Sequence, residues 1–324
     1  MGSHLGFIYR QLVFKPKPLP HSVKLTGQTA LVTGSNTGLG LEACKELAAH
    51  GVARIILGVR SKAKGEEAKK EILAHKPDVD VRVWELDHES FDSLRKFADE
   101  AATLDRLDIV ILNVGVKNTE FTKSKTGHEL HVQVNHLGTS LLSLLLLGPL
   151  KATAAANDST TRLTIVSSEN HFWVKFNEIN APSTLERMDT EESFGKGMDR
   201  YSTSKLLNIL WMRELSIRAP ENVIINAVNP GFCRSELHRS DPSGSAFVKW
   251  IGWTAQQGGH CLTDAVIQPR DGYGAYISEQ TKKSPSPFVL SPQGQAAQTK
   301  IWNETIKLLH EAVPDVDLLQ NLRN

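Results

Sequence analysis

Cysteine is scarce in this chain of 324 residues: there are three, Cys44, Cys233 and Cys261, odd in number and far apart. Such a set builds neither a disulfide framework nor a paired-cysteine metal site, and it points to a reducing, cytoplasmic setting. Net charge is missing too. Lys and Arg number 37 against 36 Asp and Glu, a formal +1, so no broad basic field is on offer to a nucleic acid and charge-based recognition must be local. Long hydrophobic runs are absent. The run Leu141–Leu147, extended to Leu150, falls short of the roughly 20 residues that span a bilayer and reads as a buried helix. The N-terminal segment Leu5–Phe14 is short, contains Arg10 and runs into the proline-rich Lys15–Pro20. No small-residue cleavage site follows it, and Gly6 stands where a myristoylation signal wants Ser or Thr. Residues 1–26 are therefore expected to form an arm docked on the protein surface rather than a membrane contact.

What remains is an ordinary globular composition, 40% hydrophobic and 23% charged, over a length sufficient for one large core. After the arm, strand and helix signals alternate. Strands are expected at Ala30–Thr33, Arg54–Val59, Val79–Leu86, Leu107–Leu112, Leu163–Ser167 and Val223–Val228. Helices are expected at Leu39–His50, Lys62–His75, Phe91–Ala102, about Gly127–Leu150, Tyr201 to about Arg218, and around Gln298–Ala312. Mostly apolar strands separated by helices call for a parallel sheet covered on both faces, and right-handed crossovers make this a doubly wound α/β sheet of the Rossmann type. Residues 27–324 form one expected domain. Two excursions, 169–200 and 236–270, interrupt the rhythm and leave the carboxyl edge of the sheet, where open α/β folds bind ligands.

Thr33-Gly34-Ser35-Asn36-Thr37-Gly38-Leu39-Gly40 joins the first strand to the first helix of this unit. Glycines there allow a tight turn and a close backbone approach to a pyrophosphate, and the helix N-terminus adds partial positive charge. The spacing departs from the G-x-G-x-x-G fingerprint, so its place between strand and helix carries the weight. An NAD site sets a carboxylate at the end of the second strand, on the ribose 2′-hydroxyl. Here Gly58-Val59-Arg60 has none. Arg60 can instead fork onto a 2′-phosphate, with Lys62 and Lys64 nearby, which selects NADP(H). Tyr201 and Lys205 stand four residues apart, on one face of a helix. A phenol of ordinary pKa ~10 needs a neighbouring cation to act as acid or base near neutrality, and Lys205 supplies one. Ser167-Ser168, Asn113-Val114-Gly115-Val116 and Asn229-Pro230-Gly231 fall at the carboxyl ends of expected strands.

In this order the segments TGSNTGLG, NVGV, VNHLG, VSS, YSTSK and NPG resemble the short-chain dehydrogenase/reductase family along nearly the whole chain beyond the arm. The arm, NHLG and Ser235-Glu236-Leu237 resemble the retinol-dehydrogenase-like members and fungal relatives in secondary-metabolite pathways. The resemblance implies a catalytic tetrad of Asn135, Ser168, Tyr201 and Lys205: Tyr201 as acid/base, Ser168 polarising a carbonyl, Lys205 lowering the Tyr201 pKa and binding the nicotinamide ribose, Asn135 holding a relay water. It implies cofactor contacts at Gly34, Asn36, Thr37, Gly38, Leu39, Gly40, Arg60, Lys64, Asp87, Asn113, Gly115, Tyr201, Lys205, Pro230 and Ser235. Val114 replaces the usual Ala, and Ser235 the usual Thr. Phe172, Trp173, Phe176, Phe194, Trp250 and Trp253 suggest a large apolar small-molecule substrate, with ordinary packing the competing account. No His, Cys and Asp pattern has metal-ligand spacing, which disfavours a zinc-dependent enzyme. The leucine-rich helix is either core or, as the resemblance suggests, a subunit interface. Ketone/alcohol interconversion is the leading reading. Its alternatives are a repurposed fold assisting cyclisation or isomerisation, and a nucleotide-binding scaffold without catalysis.

Overall fold

A computed structural model describes residues 2–238, 250–268 and 273–323. Eight strands form one sheet: β1 (Thr29–Thr33), β2 (Arg54–Val59), β3 (Asp80–Glu85), β4 (Ile109–Leu112), β5 (Thr161–Val166), β6 (Val223–Asn229), β7 (Tyr276–Ser278) and β8 (Thr281–Lys283). Their order is β3-β2-β1-β4-β5-β6-β7-β8, parallel throughout except for β8. The chain winds outward from β1 to β3 and then crosses back to β4, so the sheet reverses its winding between β1 and β4. A crevice opens at the carboxyl ends of strands at such a point.

The central strands are apolar along their whole length because both faces are covered. Leu31, Ile56 and Val110 point into one core, and Ala30, Val32, Ile55, Leu57, Ile109 and Ile111 into the other, as the two-residue period of a strand requires. One face carries α4 (Phe91–Ala102), whose Leu94, Phe97, Ala98 and Ala101 recur at helical spacing and are all buried. The same core takes α5 (Gly138–Leu145), α6 (Leu147–Ala156), α7 (Gly197–Arg218) and α9 (Pro292–Ala312). The other face carries α2 (Gly38–Ala49), α3 (Lys62–His75) and α8 (Ala255–Ile267). Serines at positions 61, 90 and 291 accept backbone N–H groups and so fix the starts of α3, α4 and α9.

Several sequence expectations need correction. The helix expected from Gly127 starts later: Gly127 has φ +89°, in the turn where Ser124 N donates to His128 O. The helical stretch opens as a π-turn, Val132–Leu137, and runs on to Ala156. It is thus long and apolar enough by composition to cross a bilayer, although 61% of its most apolar window is buried here. The second excursion is not a loop throughout, because Ala255–Ile267 is a helix packed on α2. Its residues 239–249, 269 and 270 lie outside the described residues. The first excursion contains short turns of helix at Glu169–Phe172, Asn177–Asn180, Thr184–Met188 and Glu191–Phe194. Glu304 of α9 anchors it by accepting from Thr184 N and Leu185 N. Strands β7 and β8 were not anticipated; three residues each is too short for a periodic signal.

The arm is partly helical. The helix α1 (His4–Val13) starts at Ser3, whose side chain accepts from Gly6 N, and buries Gln11. The extended stretch after it is tied down where Lys17 exchanges two bonds with the Gln280 side chain and Leu19 N donates to Glu46. The three cysteines are free and buried.

Candidate active site

A cleft of about 1190 Å³ lies along the carboxyl edge of the sheet. At its centre Tyr201 and Lys205 project from the first turns of α7, and Ser168 follows β5. Tyr201 and Ser168 line the same cleft, and the Lys205 ammonium lies 5.8 Å from the centre of the Tyr201 ring. Lys205 Nζ donates to Val166 O at 2.9 Å. Burial sets the electrostatics here: it pushes the Tyr201 phenol up to about 12 and pulls the Lys205 amine down to about 8. Neighbouring loops are locked by polar contacts. Asn229, at the end of β6, accepts from Glu169 N and Gly231 N and donates to Ser278 Oγ, so one side chain fixes the exits of β5, β6 and β7.

Asn135, to which the family pattern assigns a relay water, is tied to its neighbours by side chain and backbone alike. Its side chain accepts from Val116 N at 2.7 Å and donates to Val116 O and Ser204 Oγ, both at 2.9 Å. Its backbone carbonyl accepts from Asn208 Nδ2. Each polar atom is engaged, and Asn135 is absent from the cleft wall. It pins the strand-end segment Val114–Val116 beneath Lys205, on a π-turn of the kind that recurs at functional sites.

The glycine turn forms one end of the cleft. Gly34 and Gly38 have φ of +65° and +61°, a region that disfavours any side chain. A Cβ on Gly40 would stand 2.6 Å from Gly34 O and 2.8 Å from Asn113 Nδ2. Gly40 itself lies behind the wall, as the residue that lets α2 sit against the turn. Asn113 Nδ2 donates to Thr33 O and Gly34 O, stitching β4 to the turn. At the start of α2 the capping residue Thr37 makes no side-chain cap bond, and the first turn holds no acidic residue. Free N–H groups, a positive helix end and bare glycine backbone suit a pyrophosphate. Gly34, Asn36, Thr37, Gly38 and Leu39 line this end, and Asp87, Asn113, Gly115, Pro230 and Ser235 line the cleft farther along. The donor set fits a dinucleotide.

Beyond β2, Arg60, Ser61 and Lys64 also line the cleft. Arg60 is 66% exposed, with Nη1 3.7 Å from Glu89 Oε1. Lys62 instead pairs with Glu85, away from the wall. Asp87 accepts from Lys125 Nζ at 2.8 Å, which holds its carboxyl below the ordinary range.

Of the aromatic residues expected to shape a substrate pocket, Trp173 lines the cleft. Phe172 packs beside Tyr276, Phe176 against Phe288, and Phe194 against Phe121 and His131. Trp253 is buried beneath α1, donating to Gln11 O, and Trp250 is 89% exposed. The apolar wall comes instead from residues the sequence did not single out, Phe7, Met198, Phe232 and Leu237, with His4 at its rim. A second contribution that spacing did not reveal is the buried pair Glu129 and His131. Glu129 accepts from His131 Nδ1 at 2.7 Å, and His131 Nε2 accepts from Asn118 N at 2.9 Å, holding the loop beside Tyr201.

A doubly wound sheet with a glycine cradle at its switch point, and a buried phenol and ammonium on one helix face, defines a dinucleotide-binding oxidoreductase site. Comparison with known proteins narrows the class. The family model for short chain dehydrogenases matches residues 28–172. Short chain dehydrogenase sol3 of Alternaria solani is 64% identical over 282 residues, 86% of this chain and 99% of that protein. Short chain dehydrogenase/reductase dmxR8 of Cryptosporiopsis sp. is 37% identical over 325 residues, 96% of this chain and 99% of that one. Among solved structures, a short-chain dehydrogenase from Sphingobium yanoikuyae in complex with NADPH superposes with a TM-score of 0.57 at 17% identity, covering 89% of this chain and 96% of that one. The chain belongs to the short-chain dehydrogenase/reductase family, in a branch with fungal relatives. Members of this family are oxidoreductases that use nicotinamide cofactors.

Proposed function

We propose that the chain interconverts a ketone and a secondary alcohol on an apolar, ring-containing small molecule, with NADP(H) as cofactor. One observation carries this reading: Tyr201, Ser168 and Lys205 line one cleft, with the Lys205 ammonium 5.8 Å from the centre of the Tyr201 ring, beside a cradle suited to a dinucleotide. The nicotinamide supplies or accepts the hydride when bound. Tyr201 gives its proton to the carbonyl oxygen, or takes one from the alcohol, while Ser168 polarises that oxygen. Burial keeps Tyr201 protonated at neutral pH, the form that donates when the carbonyl is reduced. Lys205 stabilises the phenolate left behind.

Support for the 2′-phosphate comes from Arg60, Ser61 and Lys64 on the cleft wall and from the lack of a carboxylate in Gly58-Val59-Arg60. A bound 2′-phosphate would compete with Glu89 for Arg60, whose present contact to Glu89 Oε1 is long, at 3.7 Å. An NADPH complex in a structural neighbour is consistent with this preference. Phe7, Trp173, Phe232 and Met198 favour a bulky apolar substrate over a polar one.

The test is turnover of aromatic and polycyclic ketones with NADPH or NADH, by wild type and by Tyr201→Phe. Reduction that prefers NADPH and is lost in Tyr201→Phe, with NADPH still bound, supports the reading. Near-normal turnover by that variant contradicts it.

A further inference from the structure

We infer that α1 builds the distal subsite for the substrate, with Phe7 as a specificity-determining residue. This rests on the reading of Tyr201 and Ser168 as the reacting centre. Phe7 stands between the two loops that carry the site: its ring meets Trp173, on the loop after Ser168, at 5.7 Å edge-on, and Phe232, on the loop after Pro230, at 6.2 Å. His4, one turn earlier, stacks on Trp173 with centroids 4.5 Å apart. Both His4 and Phe7 face the same cleft as Tyr201 and Ser168.

The helix is held there by bonds that a casually docked arm lacks. Gln11, buried, accepts from Phe232 N at 3.1 Å and donates to Phe232 O at 2.8 Å and to Ile251 O at 3.2 Å. Trp253 Nε1 donates to Gln11 O, and Trp173 Nε1 to Gly2 O. Arg10 pairs with Glu169, the residue that follows Ser168. Phe7 and Gln11, at helical spacing, thus face inward with the exposed His4 at the rim against Trp173, while Leu5, Tyr9, Leu12 and Val13 lie exposed on the other side. Polar inward residues set the position of the helix, and its aromatic ones are left to close the cavity. The chemistry they recognise is an aromatic or polycyclic body attached to the carbonyl that Tyr201 meets.

The experiment compares Phe7→Ala, the milder Phe7→Leu and the exposed-face control Leu5→Ala against two ketones, acetylnaphthalene and butanone. The expected result is a KM for acetylnaphthalene raised at least about tenfold in Phe7→Ala and less in Phe7→Leu, the scale on which apolar pockets discriminate. The KM for butanone, the Kd for NADPH and all constants of Leu5→Ala stay unchanged. Equal effects on both ketones, or none on either, overturn the subsite. If wild type turns over neither ketone, the functional reading fails, and the subsite is then judged by acetylnaphthalene binding in the presence of NADPH, followed by fluorescence. A tenfold weaker Kd in Phe7→Ala sustains it, and an unchanged Kd overturns it.

Discussion

Lys205 should stabilise the reaction and destabilise the protein, and Lys205→Met separates the two effects. The ammonium is buried, with a single hydrogen bond, to Val166 O, and burial lowers its pKa from 10.5 to about 8. A displacement of this size, at 1.36 kcal/mol per unit, corresponds to ~3 kcal/mol for keeping the cation in the native state at pH 7. Methionine of similar length removes that cost but leaves Val166 O without its donor, which takes back about 1 kcal/mol. The expected net gain is ~2 kcal/mol in urea unfolding at pH 7, with turnover lost. The pH dependence carries the sign. Below about 8 the lysine is charged in both states and the native state bears the whole penalty. Between about 8 and 10.5 the unfolded chain binds more protons than the folded one, so wild-type stability gains from this group as pH rises. Above 10.5 lysine is neutral in both states and the penalty is gone. The advantage of Lys205→Met should therefore be full at pH 7, shrink as pH rises from 8, reach zero at about pH 10 and become a deficit of about 1 kcal/mol above 10.5, where only the lost bond to Val166 O remains. A variant less stable than wild type at pH 7, or an advantage that ignores pH, refutes the reasoning.

Two further substitutions probe the cradle. Arg60→Ala should weaken NADPH about tenfold in a fluorescence titration while leaving NADH nearly unchanged, as expected for one exposed but charge-assisted contact; equal weakening of both removes the 2′-phosphate role. Gly40→Ala places a methyl 2.6 Å from Gly34 O and 2.8 Å from Asn113 Nδ2, so thermal unfolding should show a loss of about 1–3 kcal/mol and dinucleotide affinity should fall at least about tenfold. Unchanged affinity in Gly40→Ala would mean that the turn does not form the cradle.

The sheet was legible in the sequence because its central strands are buried on both faces, so Arg54–Val59 after its first residue, and Val223–Asn229 apart from Asn226 and Asn229, read as apolar runs. Helices with one apolar stripe and a serine cap, such as Lys62–His75 and Phe91–Ala102, were legible to the residue. The start of the long helix was not, because a π-turn at Val132–Leu137 has a different period and a turn around Gly127 precedes it. Tyr201 and Lys205 could be placed on one helix face by their spacing of four, and Ser168 and the glycine turn by their positions just after apolar strands. Asn135 could be located in the sequence but its bonds to Val116 and Ser204 could not, since they depend on segments brought close only by folding. The substrate wall was the least legible. Aromatic residues near the site in sequence, Phe176 and Phe194, went into packing, whereas Phe7 arrives from the far end of the chain through an arm whose hold depends on Gln11 and Arg10.

In the proposed reaction hydride moves between a nicotinamide and the carbon of a carbonyl whose oxygen faces Tyr201 and Ser168. NADPH deuterated at the transferring position of C4, supplied with an aromatic ketone, tests it most directly by mass spectrometry of the product. The expected product is a secondary alcohol carrying one deuterium on its carbinol carbon, formed by wild type and not by Tyr201→Phe. A product without deuterium, or a rearranged product with no net consumption of NADPH, would contradict it.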